Sequence, residues 1–575
     1  MGFFSKNQAA PAAAYPKNSP ASSDPNTPAS RSVTSFANEE QHVPAASTES
    51  EPKLTILAVL LGAIASMGGF IFGYESGQIS GFLAMTDFLE RFGEKGEFSA
   101  ARQGTIVGLL CIGTLVGCLA SGWICDRLGR KWTISSAAFF YIIGVVIEVS
   151  SERQWVQFAM GRFTAGMGIG AMSTSVPMYQ SESVPKNIRG ATVASYQLMI
   201  TLGIWTAYMI NWHTEAAFDN SAQWRIPNAL SMLWALLLGG SILFMPESPR
   251  YAYRVGRVEE ARDTLAKLNG VDSYSKLIDD EVKEIDDKLK ADNAQGVAPW
   301  YEIFTGPSML YRTLLGMVLQ AGQQLTGANF FFYYGTTVFK STGIENSYIT
   351  SIILGSVNVG ATIVGIWLVK KVGRRHALMG GAAWMFVCFM VYAFVGSFIL
   401  DAKNPMATPI AGKALIVFTC LFIVAFATTW GPLVWAVVGE MYPSRYRAPA
   451  MAVATASNWL FNFLISFFTT FITNAIHYFY GLVFGGCCFA LFFIVYFFMM
   501  ETKDRSLEEI DTMYISGVSP RKSAKWKPTD IPAVANAAAA NKEAAPAGLM
   551  VHDERVFPEN PQPKPAMAET QTQTV

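Results

Sequence analysis

Charge is the first thing this chain lacks. Only 15% of its 575 residues are Asp, Glu, Lys or Arg, against about a quarter in soluble proteins, so most of the chain is not built to face water. The charges it does carry balance, 43 basic against 43 acidic, which leaves no net field to hold nucleic acid or another polyanion. Histidine is scarce, and His42, His213, His376, His477 and His552 are all expected to fall in tails or loops, so none is expected to be a buried base. The cysteines, Cys111, Cys118, Cys125, Cys388, Cys420, Cys487 and Cys488, sit in apolar runs and make no extracellular disulfide framework. Cys111, Cys118 and Cys125 recur two helical turns apart, too far for one metal ion, and are read as packing. No P-loop is present to drive work with a nucleotide, and the core holds no paired catalytic constellation. Neither a metal, a cofactor nor an enzyme activity is expected. The start of the chain lacks the pattern of a cleaved secretory signal peptide, so the first apolar run is expected to act as an uncleaved signal-anchor.

What the chain has is apolar length: it is 51% hydrophobic and 13% aromatic. Twelve stretches are long enough to cross about 30 Å of hydrocarbon at about 1.5 Å per residue. They are 54–80, 103–125, 131–149, 155–178, 190–211, 226–245, 308–336, 348–370, 375–398, 411–437, 448–472 and 479–500. Basic residues concentrate in alternate short connections, "CDRLGRK" (125–131), "PKNIRG" (185–190), "VKKVGRRH" (369–376) and "PSRYRA" (443–448), which places those connections and both termini in the cytoplasm. The expected organisation is a disordered tail (1–53), a six-helix bundle (54–245), a cytoplasmic helical linker (246–307), a second six-helix bundle (308–500), and a mostly disordered cytoplasmic tail (501–575).

The two halves echo each other. "ESVPKNIR" and "EMYPSRYR" share a pattern that places Glu182, Pro185 and Arg189 opposite Glu440, Pro443 and Arg447. A duplicated six-span unit is the signature of a transporter built from two related bundles, with its site between them near the midplane.

The motifs "GFIFGYESGQISG" (69–81), "GRFTAGMGIG" (161–170), "PMYQSESVP" (177–185), "PESPR" (246–250), "QQLTGAN" (323–329), "VGRR" (372–375) and "ETKDRSLEEID" (501–511) follow in an order that resembles the sugar porter family of the major facilitator superfamily, most like its fungal hexose transporters. The resemblance covers about residues 54 to 515. It implies an all-α membrane protein of twelve transmembrane helices in two bundles, importing a hexose such as glucose by alternating access, either down its gradient or with a proton. It also implies the plasma membrane as location, and a single chain is expected to suffice for function. The family includes non-transporting glucose sensors, and a receptor is the alternative reading.

The seventh stretch carries the strongest site signal. Gln320, Gln323 and Gln324 lie at i, i+3 and i+4, on one helical face. A carboxamide donates and accepts without charge, as a sugar hydroxyl does. Gly327 favours a helix break, and broken helices line transporter sites; Asn329 follows it. The resemblance adds Gln197, Asn358, Trp435 and Asn458 as sugar contacts, with Phe72, Trp459 and Asn462 as secondary candidates. Tyr333 and Tyr334, beyond the break, are candidates for an outer gate.

Ionisable groups inside a membrane are functional hypotheses by default. Glu75 and Arg162 are the pair so placed; the resemblance puts a proton-coupling carboxylate at Glu75, where proton-coupled members carry aspartate. At the cytoplasmic ends, Arg127, Arg130, Glu182, Arg189 and Glu247 in the first half and Arg374, Arg375, Glu440, Arg447 and Glu501 in the second are expected to pair between bundles. Such pairs would close an inner gate when the site faces out and part when it faces in.

Overall fold

The computed structural model describes residues 55–527, without 95, 295–300, 307, 341–346, 402–407, 444–445, 504 and 506. Arg189 lies in a described helix, but its side chain is outside the described set. The described chain is helical, apart from a single bridge between Glu94 and Glu97.

Six long helices form the first half: Ile56–Phe82, Ala100–Leu128, Arg130–Val149, Trp155–Ser183, Lys186–Ala217 and Ala222–Ser241. Six spans form the second. The seventh is Met309–Leu325 continued by Ala328–Lys340, and the eighth and ninth are Ser347–Lys371 and Arg374–Phe394. The tenth joins Pro409–Ala425 to Gly431–Met441 through a π-turn, Phe426–Trp430; the last two are Arg447–Ile476 and Tyr480–Phe498.

Eight described stretches are apolar enough to cross a membrane by length and composition alone, the last of them, Pro449–Phe498, containing two spans. The fourth and fifth helices are rich in Gly, Ser and Thr, and the seventh span is divided at Gly327 into two helices, Met309–Leu325 and Ala328–Lys340, each too short to cross alone. In hydrocarbon each backbone donor must be satisfied within its own segment, which makes these runs helices whatever their side chains do. Large apolar side chains such as Trp123, Phe139, Trp367, Phe398 and Ile410 are exposed around the outside, as a lipid-facing surface requires.

Small residues decide how closely the helices approach. A Cβ on Gly113 or Gly117 would strike the Phe163 or Met167 carbonyl of the fourth span, and one on Gly166 or Gly170 would strike Leu110 or Thr114 of the second. The contact is reciprocal, so "GRFTAGMGIG" is a packing face. Between the halves, helices Pro249–Arg254, Val258–Asn269 and Lys276–Ala294 form the insert, with a small core of Leu265, Ala266, Ile278 and Val282. Thr55 caps the first span by accepting from Ala58 N and donates its hydroxyl to Leu268 O at 2.8 Å, fastening that span to the insert.

The chain beyond the last span does not leave the fold at once. Helix Leu507–Ile515 packs under the second half, where buried Arg312 pairs with Asp511 at 2.7 Å and its guanidinium lies 4.6 Å from the Tyr514 ring. Ser523 Oγ accepts from Glu501 N at 2.9 Å, so an ordered strap reaches well into the expected tail.

The hydrogen bonds described between the halves run from the middle of the spans to the side away from the insert. Ser80 and Thr336 meet hydroxyl to hydroxyl at 3.2 Å, Tyr348 donates to Gly81 O at 3.0 Å, Tyr208 to Phe332 O at 3.1 Å and Trp205 Nε1 to Ser356 Oγ at 2.9 Å. The closure in this conformation is on that far side.

Candidate functional site

The break expected in the seventh span falls at Gly327, whose φ is +87°. Left-handed backbone favours glycine, and a Cβ there would also sit 2.7 Å from the Phe484 ring. Just before the break, the three glutamines are buried and share one partner. Asn458 Nδ2, on the eleventh span, donates to Gln320 Oε1 and Gln323 Oε1, both at 2.8 Å, and Gln324 Nε2 donates back to Asn458 Oδ1 at 2.9 Å. Asn329 Nδ2 donates to Gln324 Oε1 at 2.5 Å. Gln323 Nε2 reaches the tenth span, donating to Trp430 O and Gly431 O at 2.9 Å, beside the π-turn. Most of the amide groups therefore satisfy one another.

Two donors beside this network are left over: Gln320 Nε2 and Trp459 Nε1 are buried without a hydrogen-bond partner. Trp459 packs edge-on against Phe72 of the first span, centroids 5.5 Å apart, bringing two secondary candidates together across the halves. Asn462, one turn further, accepts from Cys111 Sγ of the second span at 3.5 Å and from Ser466 Oγ at 3.3 Å. Asn358 is buried in the eighth span, while Gln197, Asn329 and Trp435 are half-buried. Tyr333 and Tyr334 are both buried, and Tyr334 donates to Ser466 O at 2.5 Å, tying the seventh span to the eleventh near the closed side.

Glu75 and Arg162 meet at 2.8 Å with both side chains out of solvent. Glu75 also accepts from Gln78 Nε2 and from the Tyr141 hydroxyl, each at 2.7 Å. Around the expected pair stand buried residues that the motifs do not point to: Gln78, Tyr141, Asn228 and a second carboxylate, Glu148. The available signal was an acid inside the apolar run "GVVIEVS".

At the insert end the charged residues build two copies of one device. Glu247 Oε1 accepts from Arg130 N at 3.1 Å, Lys131 N at 3.2 Å and Ser248 N at 2.8 Å, capping the third span. Glu501 accepts from Arg374 N at 2.8 Å and Arg375 N at 3.2 Å, capping the ninth. A carboxylate at a helix N-terminus satisfies orphan donors and meets the positive end of the dipole. Gly129 and Gly373 make the approach possible, because a Cβ on either would strike that carboxylate. Burial pushes the Glu247 carboxyl above its ordinary value, and its three backbone N–H donors pull the other way.

The described ion pairs at this end stay within a half. Arg130 Nη2 donates to Glu182 Oε1 at 3.0 Å and Arg374 Nη2 to Glu440 Oε1 at 3.2 Å. Arg375 donates to Tyr496 O at 2.8 Å and Arg447 to Tyr442 O at 3.3 Å. Arg127 is exposed and stacks on Trp123, 3.8 Å from the ring centroid, so it stands apart from the pairs expected of it. With the halves closed on the far side, these groups face partners on their own bundle.

Comparison with known proteins agrees with this architecture. Residues 61–514 match the family model described as sugar (and other) transporter. The chain is 44% identical to the low-affinity glucose transporter of Kluyveromyces lactis over 484 residues, 82% of this chain and 85% of that one. It is 42% identical to the high-affinity hexose transporter HXT6 of Saccharomyces cerevisiae over 516 residues, 88% and 90% of the two chains. Among solved structures it resembles the proton:xylose symporter XylE bound to 6-bromo-6-deoxy-D-glucose, with TM-score 0.67 and 25% identity over 80% of this chain and 100% of that chain. It also resembles the inward-open xylose transporter XylE from E. coli, with TM-score 0.65 and 25% identity over 79% and 99% of the two chains. The chain thus belongs to the sugar transporter family of the major facilitator superfamily, as a multi-pass membrane carrier and not an enzyme.

Proposed function

We propose that this chain carries a hexose, glucose foremost, across the plasma membrane by alternating access, with the insert and both termini in the cytoplasm. The observation that carries the reading is the amide cluster centred on Asn458, buried at mid-span and joined to three glutamines. A sugar's hydroxyls can replace these amide–amide bonds one for one, so binding exchanges partners without leaving buried groups unsatisfied. Gln320 Nε2 and Trp459 Nε1 offer donors to hydroxyl oxygens, Gln197 and Asn358 supply further amides, and Trp435 offers a face to the ring's C–H groups. The hexose and glucose transporters it resembles support the substrate class.

This conformation faces the cytoplasm in that reading. Contacts on the far side hold the halves together there, and Tyr333 and Tyr334 belong to that closure. Transport then requires the far contacts to open while the insert ends, with Arg130, Glu182, Arg374 and Glu440, approach each other. No bond is made or broken, and one chain is enough. Glu75 beside Arg162 is the protonatable pair through which sugar movement would couple to protons.

Uptake of radiolabelled glucose, in cells lacking their own hexose carriers and at matched surface expression, tests the proposal. Wild type is expected to import and Gln323→Ala to import more slowly at sub-saturating glucose; a protonophore that abolishes accumulation identifies symport. A correctly localised wild type that imports no hexose overturns the carrier reading in favour of a receptor.

A further inference from the structure

Glu148 is a buried acid that the transport scheme leaves unused. It is the penultimate residue of the third span, has 0% exposure, and its Oε2 accepts from Asn228 Nδ2 of the sixth span at 3.0 Å. Asn228 Oδ1 accepts in turn from Gln78 Nε2 at 3.4 Å, and the same nitrogen donates to Glu75 Oε2 at 2.7 Å. Two carboxyl groups on different spans are thereby joined through two amides, with Arg162 as the cation paired there.

The donors are divided unequally. Glu75 receives three, from Arg162, Gln78 and Tyr141. Glu148 receives one, and its Oε1 is buried without a partner. Three donors stabilise an anion, whereas a single donor in a low-dielectric site does not. Two negative charges beside one guanidinium would also leave one charge uncompensated, and carboxyl groups coupled in that way titrate as a pair.

Among the described residues, the surrounding elements supply no second counter-ion. Tyr141 on the same span is bound to Glu75, Tyr74 on the first span donates to Pro227 O at 2.8 Å, and Arg225 on the sixth uses Nη2 on Ser151 O at 3.0 Å. The fourth span presses on the acid's stem, since a Cβ on Gly161 would lie 2.6 Å from Glu148 Cγ.

We propose that Glu148 is a second proton-binding site of this carrier, holding as a neutral acid the one proton that it shares with Glu75, while Glu75 stays ionised against Arg162. Release of that proton from the Glu148 carboxyl and uptake of one by the Glu75 carboxylate exchange the two protonation states. Glu148 is left anionic, Arg162 is freed from Glu75, and the net charge of the cluster does not change. The site deepens the proposed carrier function, but where the proton sits does not depend on transport.

Infrared difference spectroscopy of the purified full-length protein at neutral pH, without sugar, tests it. Wild type minus Glu148→Gln should show the C=O stretch of a protonated carboxyl that the variant has lost, and Glu148→Asp should keep the band at a shifted frequency. A band that survives in Glu148→Gln, is unmoved in Glu148→Asp, or is absent from wild type overturns the proposal. Glucose counterflow in liposomes made from the same wild-type preparation reports on the carrier reading separately, because the band is measured whether or not sugar exchanges.

Discussion

Asn458 Nδ2 donates to Gln323 Oε1 across the seventh and eleventh spans at 2.8 Å, and the same nitrogen also reaches Gln320 Oε1. One side chain therefore sets the positions of several amides on the neighbouring helix.

Replacing that hub should hurt more than replacing any one glutamine. Asn458→Ala leaves groups on Gln320, Gln323 and Gln324 unpaired, each costing about 1–3 kcal/mol when buried. The expected result is a KM for glucose raised by about tenfold or more, with correct surface localisation. Unchanged KM in uptake assays would show that these amides serve packing alone.

The buried Glu75–Arg162 pair makes a thermodynamic prediction. Removing one partner strands a charge at a cost of about 3–5 kcal/mol, so Arg162→Gln should lower the melting temperature of detergent-solubilised protein sharply. Adding Glu75→Gln to it should recover part of the loss. A double variant no more stable than Arg162→Gln alone contradicts the pairing.

The duplicated caps respond differently to one methyl group. Gly373 has ordinary backbone, and only the clash with Glu501 opposes Gly373→Ala. Gly129 combines clashes with Glu247 and, at 2.8 Å, with the Tyr251 ring with φ +92° and ψ 168°, a region that adds about 1–3 kcal/mol for other residues. Gly129→Ala should therefore show the larger drop in thermal stability, and equal drops would remove the backbone from the explanation.

The far-side closure can be fixed chemically. Ser80 and Thr336 stand hydroxyl to hydroxyl, so Ser80→Cys with Thr336→Cys should cross-link under oxidant and stop uptake, with recovery on reduction. Uptake that continues in a fully cross-linked sample would exclude this contact as one that must open.

The number of spans, their six-plus-six division and the break before Asn329 were legible in the sequence because each follows from local chemistry. Apolar length makes a helix that satisfies its own backbone, and Gly327 can adopt φ +87° where other residues are strained. The residue types of the candidate site were legible for the same reason, since buried amides and acids stand out in an apolar run. Their partners were not. That Asn458 gathers three glutamines, that Arg130 pairs with Glu182 inside its own half, that Arg127 turns away onto Trp123, and that Glu148 joins Glu75 through Asn228 and Gln78 all depend on helix rotation and approach. Those are set by small residues on distant segments, such as Gly113, Gly166 and Gly161, meeting face to face. Local chemistry along the chain says which groups must find partners, and the rotation and approach of the helices say which partners they find.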